Sequence, residues 1–166
     1  YARFMGRFID ESLPWGGFVH VKVNAAEVLK RQVQRVKKGE VFISSVCDGW
    51  QPLEEKYQLT RQCLETLLDR DFPVTILTKS TLVTRDLDIL SKKKELVDIG
   101  VTITTLEEDL ARDIEPGAPP PQKRLKVLEK AGNLGLTTYA FLGPLMPCLS
   151  DTEDSIQALF KAIKPL

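Results

Sequence analysis

Apolar and β-branched residues gather in five short runs: Phe18 to Val23 (FVHVKV), Val41 to Val46 (VFISSV), Val74 to Thr78 (VTILT), Ile99 to Thr104 (IGVTIT) and Leu136 to Leu142 (LTTYAFL). Runs of this length and composition predict strands. Between them the apolar positions fall at helical spacing. Asn24, three residues before Glu27, has the pattern of a capping box and opens a helix predicted to run to Lys38, before Gly39. Pro52 opens a second helix, whose Tyr57, Thr60, Leu64, Leu67 and Leu68 share one face. Arg85 or Asp86 starts a shorter helix through Leu87 and Leu90, and another follows in TLEEDLARDI. The loop EPGAPPP holds consecutive prolines, which force an extended connection. A further helix, QKRLKVLEKAG, ends on Gly132; the last is capped by Ser150 or Asp151 and carries an apolar stripe of Ile156, Leu159, Phe160 and Ile163.

Strand alternating with helix predicts a parallel sheet, since parallel neighbours need a crossover that a helix supplies. An open doubly wound sheet and a (β/α) barrel share this pattern. The polar residues tilt the reading toward the barrel. Three strands end in hydroxyls or charges: Ser44-Ser45-Val46-Cys47-Asp48, Thr78-Lys79-Ser80 and Thr102-Ile103-Thr104-Thr105. Barrels gather such strand ends at one mouth, where their chemistry sits. A full barrel takes about 250 residues, so the expected fold class is α/β, a partial (β/α) TIM-type barrel.

Composition narrows the function classes. A chain of 166 residues, 43% hydrophobic, suits one core and one domain spanning residues 1–166. Lys+Arg and Asp+Glu both number 23, which removes the basic bias of a protein that holds nucleic acid mainly through phosphate charge. No apolar run approaches the roughly 20 residues that span a bilayer, so a cytoplasmic protein without a membrane partner is expected. Cys47, Cys63 and Cys148 are too few and too scattered for a disulfide framework or a metal site. His20, between Val19 and Val21, reads as an ordinary strand residue.

Three blocks carry a resemblance: SSVCDGWQPLEEKYQLTRQCLETLL, FPVTILTKSTLVTRDLDIL and GVTITTLEEDLARDIEPGAPPPQKRLKVLEKAG. In order and spacing they resemble the radical S-adenosylmethionine (radical SAM) proteins related to spore photoproduct lyase, described as DNA-repair-photolyase-like. In that family a CxxxCxYC motif is followed by a Tyr-Ala-Arg-Met stretch, and the chain begins YARFM. The resemblance therefore implies three cluster cysteines just upstream of Tyr1, holding a 4Fe-4S cluster through soft thiolate donors. It implies a single radical SAM barrel domain that is incomplete at both ends and inactive without its cluster loop. The implied reaction is reductive cleavage of SAM to methionine and a 5′-deoxyadenosyl radical. The implied partners are SAM, a reductant such as flavodoxin or ferredoxin, and DNA as a candidate substrate with photoproduct repair as the lyase activity.

The resemblance also assigns roles at the strand ends. Lys79 is the cation expected to neutralise the methionine carboxylate of SAM, against the commoner fate of a solvated lysine. Ser45 and Asp48 are candidates for the methionine amino group, although Asp48 equally suits the start of a helical turn. Thr102 and Thr104 share one side of their strand and suit the ribose hydroxyls, or follow from β propensity alone. Cys47 replaces the Thr of a Thr-Asp-Pro common in relatives, and matches a hydrogen-donating cysteine of the lyases proper or else a small buried thiol. Cys63 reads as core. Glu115 and Arg124 flank the proline loop at family positions and pair to shape the mouth, as an exposed ion pair of little stabilising weight. Gly143 to Pro147 (GPLMP) suits an adenine-contacting loop or a turn, and the Arg and aromatic mixture in YARFMGRF and LPWGG suits base stacking or plain packing. Two readings from other classes remain open: a barrel-derived binding or scaffold protein, and an aldolase-like barrel with Lys79 as Schiff-base nucleophile.

Overall fold

A computed structural model describes residues 17–44 and 46–165. The YARFM stretch, LPWGG up to Gly16, Ser45 and the last residue lie outside the described residues. The elements run α1 (Ala25–Gln32), β1 (Val41–Ile43), α2 (Glu54–Tyr57), α3 (Leu59–Leu68), β2 (Val74–Thr78), a 3-10 turn (Thr81–Asp86), α4 (Leu87–Leu90), a second 3-10 stretch (Ser91–Leu96), β3 (Val97–Thr102), α5 (Glu108–Ile114), α6 (Pro121–Asn133), β4 (Thr137–Phe141) and α7 (Glu153–Ile163).

All the strand pairings are parallel, and the spatial order is β1-β2-β3-β4. Sequential order without reversal is the winding of a barrel; a doubly wound sheet reverses direction at a switch point. Register fixes the two faces. Val74 pairs with Val97 and Ile76 with Ile99, and these residues, with Val101, are at most 1% exposed. Their face packs against Leu64 and Leu67 of α3, Val83, Leu90 of α4, and Val127 and Leu128 of α6. The opposite face carries Phe42, Thr75, Leu77, Asp98, Gly100, Tyr139 and Phe141, and it stays open: Phe42 is 45% and Phe141 51% exposed.

Several expectations are corrected. Phe18 to Val23 forms no strand; Val19 and Val23 are exposed, and Phe18 meets His20 edge-on at 5.2 Å between ring centroids. Alternation alone made that run look like a strand, but no sheet edge receives it among the described residues. Asn24 makes no side-chain cap, and α1 stops at Gln32, with the buried Val33 as its C-cap. The helix after Pro52 breaks at Gln58, which sits in the left-handed region (φ 49, ψ 33). The buried Glu54 carboxylate then caps the restart, accepting from the backbone amides of Thr60 (3.0 Å) and Arg61 (3.2 Å). α6 continues past Gly132 to Asn133, and Gly135 supplies the positive φ (77) just beyond it. Thr152 caps α7, whereas Ser150 accepts from the Met146 amide and Asp151 from that of Cys148. Within the predicted stripe Leu159 is buried and Phe160 is 60% exposed.

Candidate functional site

The carboxyl ends of β1, β2 and β3 converge through one aspartate and one arginine. After β1 the chain turns at Ser44, whose φ is 75 and whose hydroxyl accepts from the Gly49 amide at 2.8 Å. That turn presents Asp48 to the end of β2. One Asp48 oxygen accepts from the Trp50 amide (2.9 Å) and the other from the Lys79 amide (2.9 Å), while the Thr78 hydroxyl lies at 2.7 and 2.8 Å from the two. Thr78 in turn accepts from the Ser80 amide at 2.9 Å. Asp48 therefore fixes the backbone from which Lys79 projects.

The Lys79 ammonium reaches Glu115 Oε1 at 2.7 Å, and the other Glu115 oxygen meets Arg124 Nη2 at 2.6 Å. The side chains are 40% exposed at Lys79 and 7% at Glu115, and Arg124 is buried. The pair expected at the surface is thus an interior one, because Arg124 projects from α6 beneath the proline loop. Its Nε donates to the Pro119 carbonyl (2.7 Å) and its Nη1 to the Thr102 carbonyl (3.0 Å), so one guanidinium ties the loop to the end of β3. Burial pushes the Glu115 carboxyl up, but the Lys79 ammonium and the Arg124 guanidinium outweigh it and hold the carboxyl below its ordinary value. Two cations on one carboxylate leave a net positive charge, and Lys79 is its accessible end.

Among the candidate residues, Asp48, Lys79 and Thr102 are linked in this chain of contacts. Thr104 lies just past β3 and is 1% exposed; its hydroxyl has no hydrogen-bond partner among the described residues. A buried hydroxyl left so costs about 1–3 kcal/mol unless something else meets it. Cys47 is exposed beside Asp48, so it is not a small buried thiol. Cys63 is half-buried on α3; burial, and then the nearby Glu54 charge, push its thiol up and away from nucleophilic use. Lys79 is partly exposed and ion-paired, the reverse of the dry, unpaired setting that a nucleophilic amine needs.

Two features escaped the sequence reading. The Asp86 carboxylate, 0% exposed, accepts from Trp50 Nε1 (2.8 Å), Arg61 Nη1 (3.0 Å) and Arg85 Nε and Nη2 (2.8 and 2.9 Å). Arg85 also reaches Glu54 Oε1 at 3.0 Å, and Arg61 holds Asp88 with two bonds of 2.8 Å, which with its charge lowers the Asp88 carboxyl to about 2. The second feature is Tyr139, whose ring crosses the open sheet face above Gly100 and whose hydroxyl donates to the Ile76 carbonyl at 2.8 Å. A Cβ at Gly100 would lie 2.3 Å from that ring.

Comparison with known proteins agrees with this architecture. The profile of the radical SAM superfamily matches residues 11–162. An uncharacterised protein of Methanocaldococcus jannaschii is 39% identical over 153 residues, 92% of this chain and 57% of that protein. One of Acidianus two-tailed virus is 39% identical over 154 residues, 92% and 50%. The chain thus spans about half the length of these relatives. A radical SAM Nα-GlyT isomerase of Pseudomonas phage M6 is 22% identical over 148 residues, covering 89% of this chain and 30% of its own. Among solved structures, a spore photoproduct lyase mutant superposes with a TM-score of 0.67 at 16% identity, over 89% of this chain and 43% of that one. The lyase complexed with dinucleoside spore photoproduct gives 0.62, over 89% and 42%. Sequence profile, consecutive parallel strands and polar carboxyl rim agree: this chain belongs to the radical SAM superfamily and has the fold of spore photoproduct lyase.

Proposed function

We propose that this chain is the SAM-binding part of a radical SAM enzyme and that its carboxyl rim holds the methionine end of SAM. The observation that carries this is the half-exposed Lys79 ammonium, kept at the rim by Glu115 and Arg124 with one net positive charge to spare. That cation suits the SAM carboxylate. An ammonium has three donors, and Glu115 engages it on one side only. Asp48 fixes the Lys79 backbone, and Asp48 and Ser45 are assigned to the methionine amino group. Thr102 and Thr104 are assigned to the ribose; the unpartnered Thr104 hydroxyl is the feature that a polar ligand would satisfy.

The residues fit SAM better than they fit a cluster. Among the described residues no group of three or more His, Cys, Asp or Glu is placed to hold a metal ion. In this reading the cluster would be held by three cysteines that are not among the described residues. When bound, the cluster and SAM would together supply reductive cleavage and a 5′-deoxyadenosyl radical. The chain's own part is to bind, orient and shield, with the exposed Cys47 thiol at the rim as a candidate hydrogen donor. For substrate we favour a nucleic-acid photoproduct, and for reductant a flavodoxin or ferredoxin. The support for the substrate is the similarity in fold to a lyase solved with a dinucleoside photoproduct.

The test uses the full-length gene product, reconstituted anaerobically with iron and sulfide and reduced with dithionite. The expected result is a cluster absorbance and release of 5′-deoxyadenosine and methionine from SAM. An intact product that takes up no cluster would count for the scaffold reading and against this one.

A further inference from the structure

The segment 46–50 is anchored at both ends to the chain that follows β2. At one end Asp48 accepts from Thr78 and from the Lys79 amide. At the other, the Trp50 indole, 1% exposed, donates to the Asp86 carboxylate, which closes the 3-10 turn after Lys79. Between them the Gly49 carbonyl accepts from the Thr60 hydroxyl at 2.6 Å, and a Cβ at Gly49 would lie 3.1 Å from the Thr60 methyl. Asp86 is itself immobilised by Arg61 and Arg85. A buried carboxylate satisfied by two guanidiniums and an indole is held rigidly, and it in turn restrains Trp50.

We infer that Trp50 and Asp86 are positioning residues for the rim: they hold the 46–50 segment so that Asp48 sets the Lys79 backbone for its ligand. The inference rests on the SAM-binding reading above, yet the brace has its own readout. Removing the indole N–H frees one end of the segment and loosens the Asp48 contacts at the other.

The variant is Trp50→Phe, which keeps an aromatic ring in the core but removes the donor together with part of the indole; Asp86→Asn, which leaves the indole in place and keeps one acceptor oxygen, is the second and separates the lost hydrogen bond from the lost volume. In the full-length protein, amide hydrogen exchange at Lys79 is expected to quicken about tenfold in Trp50→Phe, while the Ile76 amide within β2 keeps its protection and shows that the sheet is intact. SAM affinity is expected to fall by up to about tenfold, because binding must then also order the loosened Asp48 contacts. Asp48→Asn should weaken SAM binding similarly, and adding Trp50→Phe to it should change little further, since both act through the same contacts. Unchanged exchange at Lys79 in both Trp50→Phe and Asp86→Asn, or a full additional loss in the double variant, would overturn the inference. If the unaltered protein binds no SAM, the functional reading fails, and the exchange measurement still decides the brace.

Discussion

Glu115 shows how a single residue is tuned here. Its carboxyl is buried, which alone would raise its pKa, yet it lies within 2.7 Å of one cation and 2.6 Å of another. Its folded pKa is therefore below the unfolded value. The pairing is in full force above the ordinary glutamate range, and its contribution is lost as pH falls through the depressed folded value. Replacing Lys79 by Met removes one of the two opposing cations. We expect the Glu115 carbon resonance, followed by NMR titration, to move to a higher midpoint in Lys79→Met than in the unaltered protein; an unchanged midpoint would show that Lys79 does not hold it. Asp88 follows the same sign at the surface, held down to about 2 by Arg61.

At the scale of elements, β-branched runs made β2, β3 and β4 legible from the sequence, and the proline loop located α6, although the helix expected from Gln122 begins on Pro121, the last residue assigned to that loop. Polar strand ends brought Lys79 and Asp48 into view, but only the family resemblance gave them a role. Other features left no local signal. Gln58 belongs to no turn signature, yet it adopts left-handed backbone because Glu54 caps the helix from within the preceding turn. Trp50 and Asp86 meet across 36 positions, a contact that only the assembled fold creates. Gln58→Gly should relieve the left-handed cost and raise stability by about 0.5–1 kcal/mol, read from urea denaturation; a loss would mean that the Gln side chain is itself needed. Gly100→Ala places a methyl against the Tyr139 ring. It should cost about 1–3 kcal/mol as an overpacked site, and Tyr139→Ala in the same chain should recover part of that. A fully additive double variant would separate the two residues.

At the scale of the whole molecule, among the described residues, the helices cover one face of a consecutive parallel sheet and leave Phe42 and Phe141 exposed on the other, with the polar rim at the carboxyl ends of the strands. Asp48 joins β1 to β2, and the line from Lys79 through Glu115 and Arg124 joins β2 to β3, so three separate strand ends act as one rigid edge. Preorganisation of this kind keeps a flexible lysine where a ligand can use it. The most direct test of the account is the affinity of the reconstituted full-length protein for SAM, measured by calorimetry with and without Lys79→Met. The account predicts an affinity at least tenfold weaker in the variant, equivalent to about 1.4 kcal/mol or more, with the cluster absorbance unchanged; equal affinity in the two proteins would contradict it.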